Sequence, residues 1–282
     1  MSEYAIAARD EVWSHGVRIE SRLAHGLAVS RGATIAARDT PDAPLVARVT
    51  ERMPELRARI RELGDARVRL VAEALREDGV ESDAATMTIA IDGISIVTTP
   101  EAVDADVAAL RALLALPRSE RQPAGGQAFI WRNGSASVLL HEAIGHAAEH
   151  DHEAIEWPSW LHVDLPLRMR RAGFRDVPLL RMTTLVATQS DAPFAAPDDA
   201  VEIHLLAGGA YEPLTEMVTL HVALATHHGA RLAPFSITKA RRDVAASLAG
   251  ARGEALRYPG VICSREGQEL VVGSYAPVVV TR

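Results

Sequence analysis

The chain reads as an α+β protein: an α/β N-terminal region over residues 1–120, then a mainly antiparallel β domain over 121–282 carrying a histidine-rich helix. Three observations predict this class. Val49, Met53, Leu56, Ile60 and Leu63 recur at spacings of three and four, the period of a helix with one buried face. The period falls to two in TMTIAIDGISIVTT, residues 86–99. Beyond Pro158, strand-like segments dominate, with one helical stretch among them.

Taken in order, the first 40 residues show no clear period, and Gly16, Gly26 and Gly32 interrupt any long helix. Thr40 to Gly79 reads as helical, with Gly64 and Gly79 as stops and Pro54 opening a new helix at its first turn. Met87, Ile89 and Ile91 then alternate with small or polar residues, Asp92-Gly93 is a hairpin turn, and Ile94 and Ile96 resume the alternation. Thr99-Pro100-Glu101 predicts a cap and a proline at the first helical position. The helix that follows runs through Val103, Val107, Leu110 and Leu114 to a stop at Pro117.

PRSERQPAGGQ, residues 117–127, is rich in proline, glycine and charge, and is the expected boundary between the two regions. After it come a strand, AFIWR, a turn at Asn133-Gly134, and Ser135 as N-cap of the histidine helix. The clearest later strands are VEIHLLAGG (201–209), EMVTLHVALAT (216–226) and QELVVGSYAPVVV (268–280). His227-His228-Gly229 turns the second of these into the next, and a helix spans about Ala240 to Ala251. His204 and His221 stand opposite the aliphatic rows of their strands, so both are expected to face solvent or a cleft.

Bulk properties narrow the function. At 48% hydrophobic and 24% charged residues, the composition is that of a globular protein with a substantial core. A net charge of −7 provides no basic footprint for nucleic acid. No run approaches the roughly 20 apolar residues of a membrane span, and the acidic N-terminus does not read as a secretory signal. Cys263 is the single cysteine, which excludes an internal disulfide and suits a reducing, cytoplasmic setting.

The most informative stretch is HEAIGHAAEHDH, residues 141–152, directly after the apolar Val138-Leu139-Leu140. It resembles the zinc-binding pattern H-E-x-x-H, but the second histidine falls one residue late. Residues i and i+4 lie about 40° apart on an α-helix, whereas His141 and His146 would stand roughly 140° apart. A wide π-type turn would bring i and i+5 nearly into line, and Gly145 is the residue expected where backbone geometry is irregular. A catalytic zinc normally has three protein ligands and an open position, and Glu149, Asp151, His150, His152 and Cys263 are candidates for the third. Cys263 offers the softest donor.

HEAIGHAAEHD resembles the H-E-x-x-x-H-x-x-E-x-D motif of the TldD/PmbA family of zinc-dependent peptidases, in its catalytic TldD branch. LRMTTLVATQSD (180–191) is similar to the family's R-M-[ST]-N-T strand, with Thr184 in place of the asparagine. GVICSREGQELVVGSYAPVVV (260–280) is similar to its C-terminal signature. The resemblance covers roughly residues 120–282 and describes a shortened member. It implies that His141, His146 and Cys263 bind Zn2+ and that Glu142 is the general base. Glu149, Asp151, Arg181, Gly208 and Gly209 would support the site or the substrate.

It also implies hydrolysis of unfolded or small modified peptides, and a heterodimer with a related subunit lacking the metal motif, or alternatively a homodimer. Two other readings keep the metal: a non-hydrolytic peptide-binding or scaffold subunit, and a tailoring enzyme acting on a peptide-derived small molecule. Glu142 favours hydrolysis, because a structural zinc site needs no base and closes with four protein ligands. Among other residues, His227 and His228 read as turn residues, Trp157 and Trp160 as buried aromatic surface, and Gly208-Gly209 equally as a β-bulge or a close approach to substrate.

Overall fold

The computed structural model describes residues 2–31, 34–38, 42–77, 79–132, 134–147, 161–163, 168–171, 178–181, 185–187, 195–257, 262–265, 268–271 and 275–282. The protein is α+β, with mostly antiparallel sheets. It divides into two compact units, one running through Val107 and the other beginning at Ala108.

The first unit contains six strands: β1 (Ser2–Ser14), β2 (Val17–Arg31), β3 (Thr34–Arg38), β4 (Arg67–Glu77), β5 (Val80–Ile91) and β6 (Ile94–Thr98). They form one sheet in the order β3-β2-β1-β4-β5-β6, antiparallel throughout. Helix α1 (Ala43–Glu62) packs on β1 and β4 through Leu45, Val49, Met53, Leu56 and Ile60; the last four belong to the stripe the sequence predicted, whose fifth member, Leu63, is the C-cap. Asp42 caps it by accepting from the Leu45 N–H at 3.2 Å. Helix α2 (Val103–Leu114) follows β6 as predicted, but it begins three residues beyond the expected start at Pro100, because residues 100–102 form a turn closed by the Ala102 N–H on the Thr99 carbonyl.

Three further expectations for this region are corrected. The unreadable first 40 residues contain strands, because the inward row of β1 is built on Ala5 and Ala7, too small to stand out as an apolar period. Arg67–Glu77 is a central strand and not a helix. Its apolar residues fit both periods, but pairing with β1 and β5 buries Val68, Leu70, Ala72 and Ala74 as an alternating row. Pro54 lies inside α1 instead of opening a helix, since the buried stripe continues across it. The Asp92-Gly93 hairpin forms as expected, with both residues in the left-handed region (φ 49° and 79°).

The second unit is built on a ten-stranded sheet. Its strands are β7 (Arg118–Ser119), β8 (Phe129–Trp131), β9 (Leu161–Val163), β12 (Leu185–Ala187), β13 (Val201–Glu212), β14 (Met217–His227), β15 (Ala230–Leu232), β16 (Phe235–Ala240), β17 (Arg252–Arg257) and β20 (Tyr275–Thr281). Two hairpins stand apart, β10 (Arg168–Arg171) with β11 (Pro178–Arg181), and β18 (Ile262–Arg265) with β19 (Gln268–Val271). The central order is β7-β15-β14-β13-β8-β20-β12-β9, with β16 added to β14 and β17 to β20. Trp131, fully buried, donates its indole N–H to Thr281 Oγ1 at 3.1 Å and ties β8 to β20.

Helix α3 (Ala136–Leu140) lies on β12, β13 and β20, and helix α4 (Arg241–Ala249) packs beside it. Ser135 stands before α3 without making the expected cap. Its hydroxyl donates to the Ile203 carbonyl at 3.0 Å and fastens the helix to β13.

Candidate metal centre

Every residue from Ser135 to Gly145 is buried, so the switch from Val138-Leu139-Leu140 to His141-Glu142 carries polar groups into the interior. The helix then widens. Residues His141–Gly145 form a π-turn, and the His146 N–H reaches back five residues to the His141 carbonyl. The extra residue swings His146 round towards His141, leaving the ring centroids 4.5 Å apart with a 57° tilt. The late histidine therefore shares a face with the first.

Cys263 arrives from a distant part of the sequence on the β18–β19 hairpin, where it pairs with Leu270. Its Sγ lies 3.6 Å from His146 Nε2, and one donor atom from each of His141, His146 and Cys263 lies within 4.8 Å of the others. Burial pushes the Cys263 thiol up, but interactions with His141 and His146 outweigh it and pull the thiol down to about 6. A group so placed carries thiolate character near neutral pH.

Glu142 is 3% exposed, and its Oε2 lies 3.5 Å from His146 Nε2, on the edge of the three-donor group. Behind it runs β13, whose register against β14 shifts repeatedly between Ile203 and Gly208. This irregular stretch brings Gly209 against the carboxylate. A Cβ at Gly209 would stand 2.7 Å from Glu142 Cγ and 2.8 Å from its Oε1, inside van der Waals contact. Sequence reasoning offered Gly208-Gly209 as a bulge or a substrate approach; at Gly209 the neighbour is the Glu142 side chain.

The same register shifts correct the expectation for His204. It is 8% exposed, not solvent-facing, and its Nε2 lies 2.8 Å from Thr226 Oγ1. Burial leads the shift of its pKa below the ordinary histidine value. His221 is exposed as expected, with Nδ1 2.9 Å from Ser236 Oγ. Glu149, Asp151, His150, His152, Trp157 and Trp160 fall outside the described residues, and Arg181 is described only as part of β11. Sequence reasoning missed Asp199, which joins His227 and His228 in a second cluster. The available signal was its place immediately before β13, opposite the His-His-Gly turn.

No family model matches the sequence, and no curated protein matches it. Solved structures do. TldE from Thermococcus kodakarensis superposes with a TM-score of 0.57 at 8% identity, covering 99% of this chain and 95% of that one. A Thermotoga maritima protein named as a modulator of a DNA gyrase superposes with a TM-score of 0.53 at 11% identity, covering 99% and 94%. The fold is TldD/PmbA-like along essentially the whole chain.

Proposed function

We propose that the chain is a zinc-dependent peptidase. The observation that carries this reading is the convergence of His141, His146 and Cys263 beside the buried carboxylate of Glu142. The donor set fits zinc in type, two imidazoles and a thiolate, the three protein ligands that a catalytic zinc takes. It fits in spacing too. Tetrahedral bonds of about 2.3 Å to sulfur and 2.0–2.1 Å to nitrogen imply an S···N edge of about 3.6 Å. The Cys263–His146 separation is 3.6 Å.

Zinc held by these three residues would supply Lewis acidity and make a water acidic near neutral pH. Glu142 is the base that takes the proton of the attacking water and passes it to the departing amine. Burial of Glu142 and His141 keeps bulk water from competing for these contacts. Gly209 leaves the space in which the Glu142 carboxylate stands.

The substrate class, unfolded or small modified peptides, rests on the motif resemblance to the TldD branch. So does a partner of the same fold lacking the two-histidine motif. The lone cysteine, used here as a ligand, fits a cytoplasmic setting. Among the described residues no helix is long and apolar enough to cross a membrane.

Glu142→Gln and Cys263→Ala test the reading through zinc content and peptide turnover. Glu142→Gln should keep its zinc and lose at least about 100-fold in turnover, the range for removing a general base. Cys263→Ala should lose zinc and turnover together. Full turnover in Glu142→Gln, or unchanged zinc in Cys263→Ala, would sink the proposal. Retained peptide binding without any wild-type turnover would favour the non-hydrolytic reading.

A further inference from the structure

A second set of donors converges at the other end of the β13–β14 pair, roughly 25 Å along the strand from Gly209 at about 3.3 Å per residue. Asp199 stands just before β13, while His227 closes β14 and His228 begins the turn into β15. Asp199 Oδ1 lies 2.7 Å from His227 Nε2 and 3.0 Å from His228 Nε2. Successive side chains of a strand point to opposite faces, so neighbouring histidines would ordinarily diverge. Here His228 adopts φ 49° and folds back beside His227, with ring centroids 4.0 Å apart. Asp199 is also left-handed, at φ 58°. His228-Gly229 (φ 49° and 74°) is the same kind of left-handed turn pair as Asp92-Gly93, so the hairpin from β14 into β15 is what brings the two imidazoles together.

We propose that Asp199, His227 and His228 form a second divalent-metal site, of the zinc class, that clasps the start of β13 to the end of β14. Two imidazoles and one carboxylate suit zinc and its neighbours among the divalent transition metals. In a tetrahedral shell, ligands at about 2.0–2.2 Å from one ion stand about 3.3–3.6 Å apart. The Asp199–His228 and Asp199–His227 separations, 3.0 and 2.7 Å, are hydrogen-bond distances that open by a few tenths of an ångström to somewhat under about 1 Å when an ion takes the proton's place. His227 is buried and gives the site a fixed wall, while the exposed Asp199 and His228 leave the other side open to water. The backbone is braced as well. Gln127 accepts from the Ala124 N–H at 3.0 Å, which orients its amide, and donates Nε2 to the Asp199 carbonyl at 2.7 Å. The same Nε2 lies 3.2 Å from His227 Nε2.

The site is independent of the His141–His146–Cys263 reading and can be tested apart from it. The full chain is freed of metal with chelator, equilibrated with micromolar zinc, and its zinc counted per chain. Wild type is compared with His228→Ala and Asp199→Asn, both at exposed side chains, and with His146→Ala, each checked for the wild-type far-UV circular dichroism spectrum. Wild type should hold two zinc ions, and each variant one. The thermal midpoint should rise with zinc in His146→Ala and lose that response when His228→Ala is added. Zinc content unchanged by both His228→Ala and Asp199→Asn overturns the proposal, as does binding that appears only at millimolar zinc. A wild type with one zinc, lost in His228→Ala and kept in His146→Ala, supports this site and refutes the first.

Discussion

A methyl group at Gly209 would collide with Glu142 Cγ, Cδ and Oε1, all within 2.8 Å of the position a Cβ would take. Only glycine lets β13 pass this close to the carboxylate without moving it. Gly209→Ala should therefore displace Glu142 while leaving the three metal donors in place. On the proposed peptidase reading, peptide turnover would fall about 100-fold through kcat, the cost of misplacing a reacting group by about 1 Å. Zinc per chain and KM should stay near wild type; an unchanged kcat would show that the carboxylate relaxes without consequence. The sequence marks Gly209 as unusual in a strand, but what fills the missing side chain's place comes from the π-turn after α3, more than 60 residues earlier. His204 teaches the same lesson: strict alternation places it outside, and the register shifts of β13 turn it in.

At the scale of elements, the buried faces were the most legible feature. The α1 stripe, the β5–β6 hairpin and α2 all follow from apolar period and turn chemistry. Where two periods fit equally, as in Arg67–Glu77, the neighbouring strands decided, because central pairing satisfies backbone groups on both sides. Pro54 shows how far packing can override a local preference. It removes the N–H that would bond the Thr50 carbonyl, yet α1 continues because Leu45, Val49, Met53, Leu56 and Ile60 bury one face. Pro54→Ala at this exposed position should stabilise the protein by about 1 kcal/mol, the restored bond being partly offset by a more flexible unfolded chain. A denaturant midpoint that falls would contradict this account. The π-turn was foreseeable only as a condition: His141 and His146 can share an ion if the helix widens, and the His146 N–H to His141 carbonyl bond is that widening.

At the scale of the molecule, each unit carries a buried ionisable group with its own acid sensitivity. In the first, burial pushes the Glu11 carboxyl up. Bonds and charge from Arg57, with bonds from Trp13 and Ser21, overcome this and hold it below its ordinary value. Its contribution is present above about pH 4.5 and is lost as pH falls through the lowered folded value. In the second, burial lowers the His204 pKa, so between its ordinary and lowered values the unfolded chain binds more of that proton than the folded one. Stability should fall as pH drops below about 6.5 towards the lowered folded value. Unfolding midpoints between pH 3 and 8 should show both losses, with His204→Gln flattening the upper and Glu11→Gln the lower. Glu11→Gln should also cost about 2–3 kcal/mol at neutral pH, since Arg57 keeps partial access to water after losing its partner. A stability profile that is flat through both windows would contradict these assignments.

The sequence by itself determined the α+β class, the principal buried faces, and His141, His146 and Cys263 as residues able to hold a metal. These depend on period, turn chemistry and donor type, all of which are local. Tertiary structure alone decided how the donors meet. Cys263 and His146 are separated by 117 residues and become neighbours only when the β18–β19 hairpin reaches the π-turn. Asp199 became a partner of His227 and His228 for the same reason: β13 and β14 pair antiparallel, and their ends carry side chains into contact that no local period connects.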